Sequence, residues 1–435
     1  MKVTGIIAEY NPFHNGHLHQ IEKIKKETDT DYLITVLSGN FVQRGVPAVV
    51  DKFTRTKMAL SSGVDLVIEL PVLWACASAE YFGAAGVACL DKTGVVNRIC
   101  FGAECPEAAL LSLLAEILLK EPPSYHQVLN SRLKEGLTFP TARMEALLSC
   151  LPDSSSFAPE EVRLALSSPN NILAIEYLKE LKRRKSSIMP YPILRSGNGY
   201  HDTTISPLAS AAAIRKLFTH SGQQYPYNIK TLPSDDIQKQ LWEAMPKTAC
   251  QILLDYMKEF PLLHEDNFSL MLKYKLLSQA PYGLADFADC SRDLSNRLCN
   301  DLYQFRSFSG FCETLKSKEV THSRLSRILT HILLDIFQKD LAMGRELDYI
   351  PYLRVLGFRQ TAAPLLHQIK VKSKLPLLTK MADADRILKE MYAPDSFAHR
   401  MLMLDVFAAD IYNSVVSELS GKAGKNEFNH GIVIV

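Results

Sequence analysis

The chain has 435 residues, 49 Lys and Arg against 47 Asp and Glu, a formal net charge of +2 and 47% hydrophobic residues. That length suits two to four domains of about 100–200 residues with buried cores, and the composition excludes bulk disorder. The longest apolar stretch, Ala108–Leu119, is interrupted by Glu116 and is shorter than the ~20 residues a bilayer requires, which excludes a membrane span.

In chain order, Val3–Ala8 reads as a strand, and His17–Glu27 as a helix with Leu18, Ile21 and Ile24 at helical spacing. Tyr32–Leu37 predicts a second strand, Phe53–Ser62 a helix, Asp65–Leu70 a third strand stopped by Pro71, and Val95–Phe101 a fourth. Strands alternating with helices in this way predict an α/β fold with a parallel sheet covered on both faces. Pro106 suits the first position of an apolar helix running to about Lys120, and residues 106–169 read as a helical insertion. Asn171–Lys185 predicts a helix, Ile188–Leu194 a fifth strand and Ala209–Phe218 a closing helix, completing a domain over residues 1–220. The polar, Pro-bearing stretch His220–Asp236 marks a boundary to a mainly α-helical domain over 221–435. Within it, Ser323–Phe337 carries Leu325, Ile328, Leu329, Ile332, Leu333 and Ile336 on one stripe. Nine cysteines without a CxxC pair, and an N-terminus whose apolar stretch is cut by Glu9, predict a cytoplasmic protein with reduced thiols and no metal site.

The chemistry concentrates in Ile7-Ala8-Glu9-Tyr10-Asn11-Pro12-Phe13-His14-Asn15-Gly16-His17, where His-x-Gly-His follows a strand and opens a helix. A helix N-terminus offers unpaired N–H groups and partial positive charge to an anion. Gly16 lets backbone approach a phosphate closely. His14 and His17 are placed to donate hydrogen bonds to phosphoryl oxygens as charge builds in a transition state. Asp51 and Arg55 are candidates for lining a binding pocket, with a surface pair at i, i+4 as the plainer alternative.

His14–His17 resembles the HxGH signature of the nucleotidyltransferase superfamily. The wider set GIIAEYNPFHNGHLHQ, SGNFVQRG (38–45), GVDLVIELP (63–71), FGAE (101–104), PNNILAIEYLK (169–179) and RVLGF (354–358) resembles the bacterial tRNA(Met) cytidine acetate ligase family. The resemblance implies a Rossmann-like HxGH nucleotidyltransferase domain with a helical insertion, followed by the mainly α-helical, tRNA-binding domain. It implies a ligase that activates acetate with ATP, releasing pyrophosphate, and passes the acetyl group from acetyl-adenylate to N4 of cytidine 34 in elongator tRNA(Met). The ATP, with Mg2+ bound through its phosphates, would lie on the segment Ile7–Gln20, including Leu18, His19 and Gln20. Gly102, Asn170, Asn171 and Arg195 would complete the nucleotide contacts. Where the family pattern has Ser-Ala-Ser-Ala-Ile-Arg, this chain reads Ser210-Ala211-Ala212-Ala213-Ile214-Arg215, so Ser210 and Arg215 would serve the triphosphate with one hydroxyl fewer.

Local charge separates what the total conceals. Residues 179–220 hold eight Lys and Arg against two Asp and Glu, and residues 316–374 hold eleven against five, so each region is +6 and the remainder of the chain is −10. Lys182, Arg183, Arg184 and Lys185, with Arg324 and Arg327, are the candidate tRNA contacts. Two alternatives keep parts of this reading: an adenylyltransferase of cofactor biosynthesis using the same HxGH site, or a non-catalytic tRNA-binding module.

Overall fold

The computed structural model describes residues 1–105, 107–152, 157–194, 206–219 and 233–435. The strands are β1 (Val3–Ala8), β2 (Tyr32–Ser38), β3 (Phe41–Val42), β4 (Val46–Pro47), β5 (Leu66–Leu70), β6 (Arg98–Ala103), β7 (Met189–Leu194), β8 (Leu353–Phe358), β9 (Leu377–Leu378) and β10 (Val433–Ile434). The main sheet runs β10-β8-β5-β2-β1-β6-β7, with β9 beside β8, while β3 and β4 form a separate hairpin. From β5 to β7 every pairing is parallel, with β1 and β2 in register from Val3 opposite Tyr32 to Ala8 opposite Leu37. The chain leaves β1 toward β2 on one side and later returns to β6 on the other, so the order reverses at β1. In open α/β sheets a crevice for ligands forms beyond the strand ends at that point.

Period-two alternation makes this a buried sheet. Leu33 and Leu37 of β2 face one core, with Ile21, Ile24, Met58 and Leu60 from the helices Asn15–Glu27 and Lys52–Ser61. Ile34 and Val36 face the other, with Phe82, Val87 and Leu178 from the helices Ala79–Lys92 and Pro169–Arg184. The region read as a helical insertion holds four helices, Ala108–Lys120, Pro123–Lys134, Phe139–Ser149 and Pro159–Ser167.

The boundary expected at residues 220/221 lies outside the described residues, as does Arg195. The later half is mostly helical but also supplies sheet. β8 pairs antiparallel with β5, and β10 pairs parallel with β8. The apolar helix of this half is His322–Leu333 rather than 323–337. Leu334 closes it and Asp335, at φ 55°, turns the chain before Ile336 is buried. Beneath the sheet sits a closed charge cluster. Lys52 Nζ lies 2.7 Å from Glu69 and 2.9 Å from Glu427, and Arg354 pairs with Glu69 at 2.8 Å and with Glu427. Among the described residues no helix is long and apolar enough to cross a membrane. All nine cysteines are free.

Candidate active site

The segment after β1 turns sharply. Tyr10 takes a left-handed conformation (φ 47°), Asn11–Pro12 is cis, and His14 is the N-cap of the helix Asn15–Glu27. The buried Tyr10 ring packs edge-on to Phe13 and His17, at 4.8 and 4.7 Å between centroids. Asn11 Oδ1 accepts from the Val49 N–H at 2.8 Å, and the Asn11 carbonyl accepts from Arg215 at 2.7 Å. Arg55, fully buried, donates to the carbonyls of Val50, Glu9, Ser38 and Gly39, and burial lowers its pKa from the ordinary arginine value. Asp51 caps the helix Lys52–Ser61 by accepting from the N–H groups of Phe53 and Thr54. Neither lines the cavity. They build the floor under it, which is what a buried cation needs when carbonyl oxygens replace its water.

The two histidines cap their own helix reciprocally. His14 Nδ1 accepts from the Gly16 N–H at 3.0 Å, and His17 Nδ1 accepts from the His14 N–H at 3.2 Å. Each imidazole therefore carries its proton on Nε2, the tautomer that donates to a phosphoryl oxygen. The rings lie 3.7 Å apart between centroids. Gly16 makes room for this arrangement, because a Cβ there would sit 2.9 Å from His14 Cε1. The glycine is thus required first by the histidine's own ring.

A cavity of about 450 Å³ opens at the carboxyl ends of β1 and β6. From the predicted segment, Ile7 through Asn11, His14, His17 and Gln20 line it. Pro12 and Phe13 are buried behind, and His19 is exposed. Leu18 packs on the core, and Asn15 donates to the carbonyls of Pro207 and Glu243 at 2.9 and 2.8 Å. Gly102, Asn170, Ser210 and Arg215 also line the cavity, as does Ala212, the position of the missing hydroxyl. Asn171 is fully buried outside it, accepting from the N–H groups of Glu104 and Cys105 at 2.8 and 3.1 Å, and so fixes the end of β6. Five helices present a first turn to the cavity: Asn15–Glu27 with His17, Ala79–Lys92 with Ala79, Pro169–Arg184 with Asn170, Ala211–Thr219 with Ala212, and His322–Leu333 with Ser323. Their partial positive charges converge on one volume.

Among the candidate tRNA contacts, Arg327 lines the cavity, its Nε 2.9 Å from Asp289, and Arg324 donates to the Asp289 carbonyl at 3.1 Å. Lys182 pairs with Glu116, Arg183 with Glu180 and Asp348, and Arg184 with Asp91 and Asp348. Lys185 is exposed. Sequence reasoning assigned no role to Gln43 and Arg44, at the tip of the β3–β4 hairpin, or to Phe82, Tyr177 and Ser323, all of which line the cavity. The signal for Gln43, Arg44 and Tyr177 lay in the SGNFVQRG and PNNILAIEYLK segments, which were read as family marks and not as surfaces; Phe82 and Ser323 lie outside both and carried no such signal. Among the described residues no group of three or more His, Cys, Asp and Glu is placed to hold a metal ion.

A parallel sheet reversing at β1, with His-x-Gly-His capping the next helix into the crevice, defines a nucleotidyltransferase of the HxGH class. The family model described as HIGH Nucleotidyl Transferase matches residues 1–427. A tRNA(Met) cytidine acetate ligase of Acetivibrio thermocellus is 39% identical over 100% of both chains. One from Clostridium perfringens is 38% identical over 95% of both. Among solved structures, apo TmcAL of Thermotoga maritima superposes with a TM-score of 0.91 at 31% identity, covering 100% of both chains. The same protein bound to alpha-thio ATP gives 0.87 at 30% identity, covering 100% of this chain and 99% of that one. The chain belongs to the tRNA(Met) cytidine acetate ligase family.

Proposed function

We propose that this chain is an ATP-dependent ligase that converts acetate and ATP to acetyl-adenylate and pyrophosphate. It then transfers the acetyl group to N4 of cytidine 34 in elongator tRNA(Met). The observation that carries the reading is the convergence of five helix N-termini and two Nε2-protonated histidines on one cavity. The binding of alpha-thio ATP by the Thermotoga maritima relative supports ATP as the occupant.

In the first step acetate attacks the α-phosphate, and negative charge grows on the phosphoryl oxygens. His14 and His17 donate to those oxygens, while Ser210 and Arg215 hold the departing end of the triphosphate. Mg2+ enters on the ATP phosphates. Gly102 and Asn170 bound the nucleoside. In the second step the cytidine amine attacks the acetyl carbon and AMP leaves. The mixed anhydride is what makes acetate a competent acyl donor, and the cavity keeps it from water until the base arrives. On the RNA side we assign Lys182, Arg183, Arg184 and Lys185 with Arg324 to phosphate contacts, and Arg327 to the cavity rim.

Incubation with ATP, labelled acetate and total tRNA is expected to place label on cytidine, and acetate-dependent exchange of pyrophosphate into ATP is expected without tRNA. His17→Ala is expected to lower that exchange about a hundredfold or more. Exchange at the wild-type rate in this variant would remove the histidine from the mechanism.

A further inference from the structure

Glu9 is out of place electrostatically. It is the one carboxylate among the described residues lining the cavity, where Arg44, Arg215, Arg327, His14 and His17 otherwise gather around an expected polyanion. A carboxylate facing a triphosphate would repel it. Yet Glu9 is held in position. Its Oε1 accepts from the Gln43 N–H at 2.8 Å, and its carbonyl accepts from the buried Arg55 at 2.8 Å. It forms no ion pair among the described residues, and with Oε1 on the Gln43 N–H, Oε2 offers its lone pairs to whatever enters. Beside it the wall turns aromatic. Tyr177, buried and within the field of Glu9, packs against Phe101 with ring centroids 5.7 Å apart, and Phe82 lines the same cavity. An aromatic wall next to a fixed acceptor suits a base that presents an amine.

We infer that Glu9 receives the exocyclic amine of the acceptor cytosine and is the proton acceptor of the transfer step. This rests on the proposed reaction and assigns its second half to a residue. A carboxylate accepts a hydrogen bond from cytosine N4 and repels the O4 of uracil, so the same group reads the base and activates it. As N4 attacks, the N4–C bond forms and the bond from the acetyl carbon to the phosphate oxygen breaks. The electron pair leaves on AMP, and one N4 proton passes to Glu9 Oε2 and then to solvent.

The two half-reactions separate the roles in the full-length protein. In Glu9→Gln, acetyl transfer from acetyl-adenylate to tRNA is expected to fall about a hundredfold or more, and at least about tenfold further than acetate-dependent pyrophosphate exchange, which also falls because Glu9 lines the nucleotide cavity. Exchange also reports that the variant is folded. Competition between tRNA transcripts carrying C34 or U34 gives a readout independent of rate. Wild type is expected to prefer C34 by about tenfold, and Glu9→Gln, whose amide meets either base, by less than about threefold. Glu9→Asp is expected to retain the preference with slower transfer. Wild-type transfer by Glu9→Gln overturns the assignment. So does a parallel fall of both half-reactions with a raised Mg2+ requirement, which would make Glu9 a metal contact. A wild-type protein that moves no acetyl group to tRNA overturns the reaction itself.

Discussion

Single residues here carry charge into places where water does not follow. Arg55 is the plainest case: its guanidinium is spread over four backbone carbonyls, those of Glu9, Ser38 and Gly39 at or just past the ends of β1 and β2 and that of Val50, so it sets the loop geometry and does not line the cavity. Asp405 is a second. It accepts from the Val72 N–H at 2.6 Å and from the Tyr352 hydroxyl at 3.0 Å, and burial, with the Glu69 charge behind it, raises its pKa to about 7. The folded chain therefore holds this proton to about pH 7, whereas the unfolded chain releases it near the ordinary aspartate value of about 3.9. The sign follows from linkage: the contribution is full below about pH 4 and is lost as pH rises through 7. Asp405→Asn keeps the shape and removes the titration. The stability of wild type relative to this variant is expected to decline between pH 4 and 7, measured by urea unfolding at fixed ionic strength. A pH-independent difference would exclude Asp405 as its source.

At the scale of elements, the β3–β4 hairpin shows how the later half of the chain reaches the cavity. Gly45 sits at φ 70° against the helix His322–Leu333, and a Cβ there would lie 2.4 Å from the backbone of Arg327. Ser326 and Thr330 of that helix both donate to the Gly45 carbonyl at 2.7 Å. Gln43 and Arg44 on one side, and Ser323 and Arg327 on the other, reach the cavity through this contact. Gly45→Ala is expected to cost about 1–3 kcal/mol, from strained backbone and a forced shift, and to slow acetyl transfer about tenfold. Denaturant midpoints and single-turnover transfer check both numbers. The parallel strands and the histidine motif were legible because each is a local pattern: an apolar run, a helix start, a fixed spacing. Segment Leu353–Phe358 was not legible as a strand. It is short, apolar and set among helices, and only its partner β5, nearly three hundred residues earlier, makes it one. Helix Ala79–Lys92 was hidden by Gly83 and Gly86, whose weak helix propensity is outweighed by close contact with Glu176 and Ile7. The placement of Arg327 was not legible either: spacing puts it on a basic face, and Asp289 and the hairpin turn it to the cavity rim.

Across the whole molecule, the two +6 regions do not translate into two bare basic surfaces. Much of the 182–185 charge meets Glu116, Glu180, Asp91 and Asp348, so that cluster also fastens the helix Pro169–Arg184 to the segment around residue 348. The deeper fastening is the cluster under the sheet. Burial alone would raise the Glu427 pKa, but Lys52 and Arg354 hold it down to about 2. Glu427→Gln leaves two buried cations to share Glu69, and is expected to destabilise the fold by about 3–5 kcal/mol. The urea midpoint should fall with an unchanged slope. An unchanged midpoint would show that the cluster tolerates the missing charge.

That cluster also bears on synthesis. Lys52 and Glu69 lie early in the chain, Arg354 late, and Glu427 later still. A ribosome delivers the two cations and one of their anions long before the second anion emerges, and β10 follows Glu427. The partly made protein thus carries an unbalanced positive charge where its sheet should close.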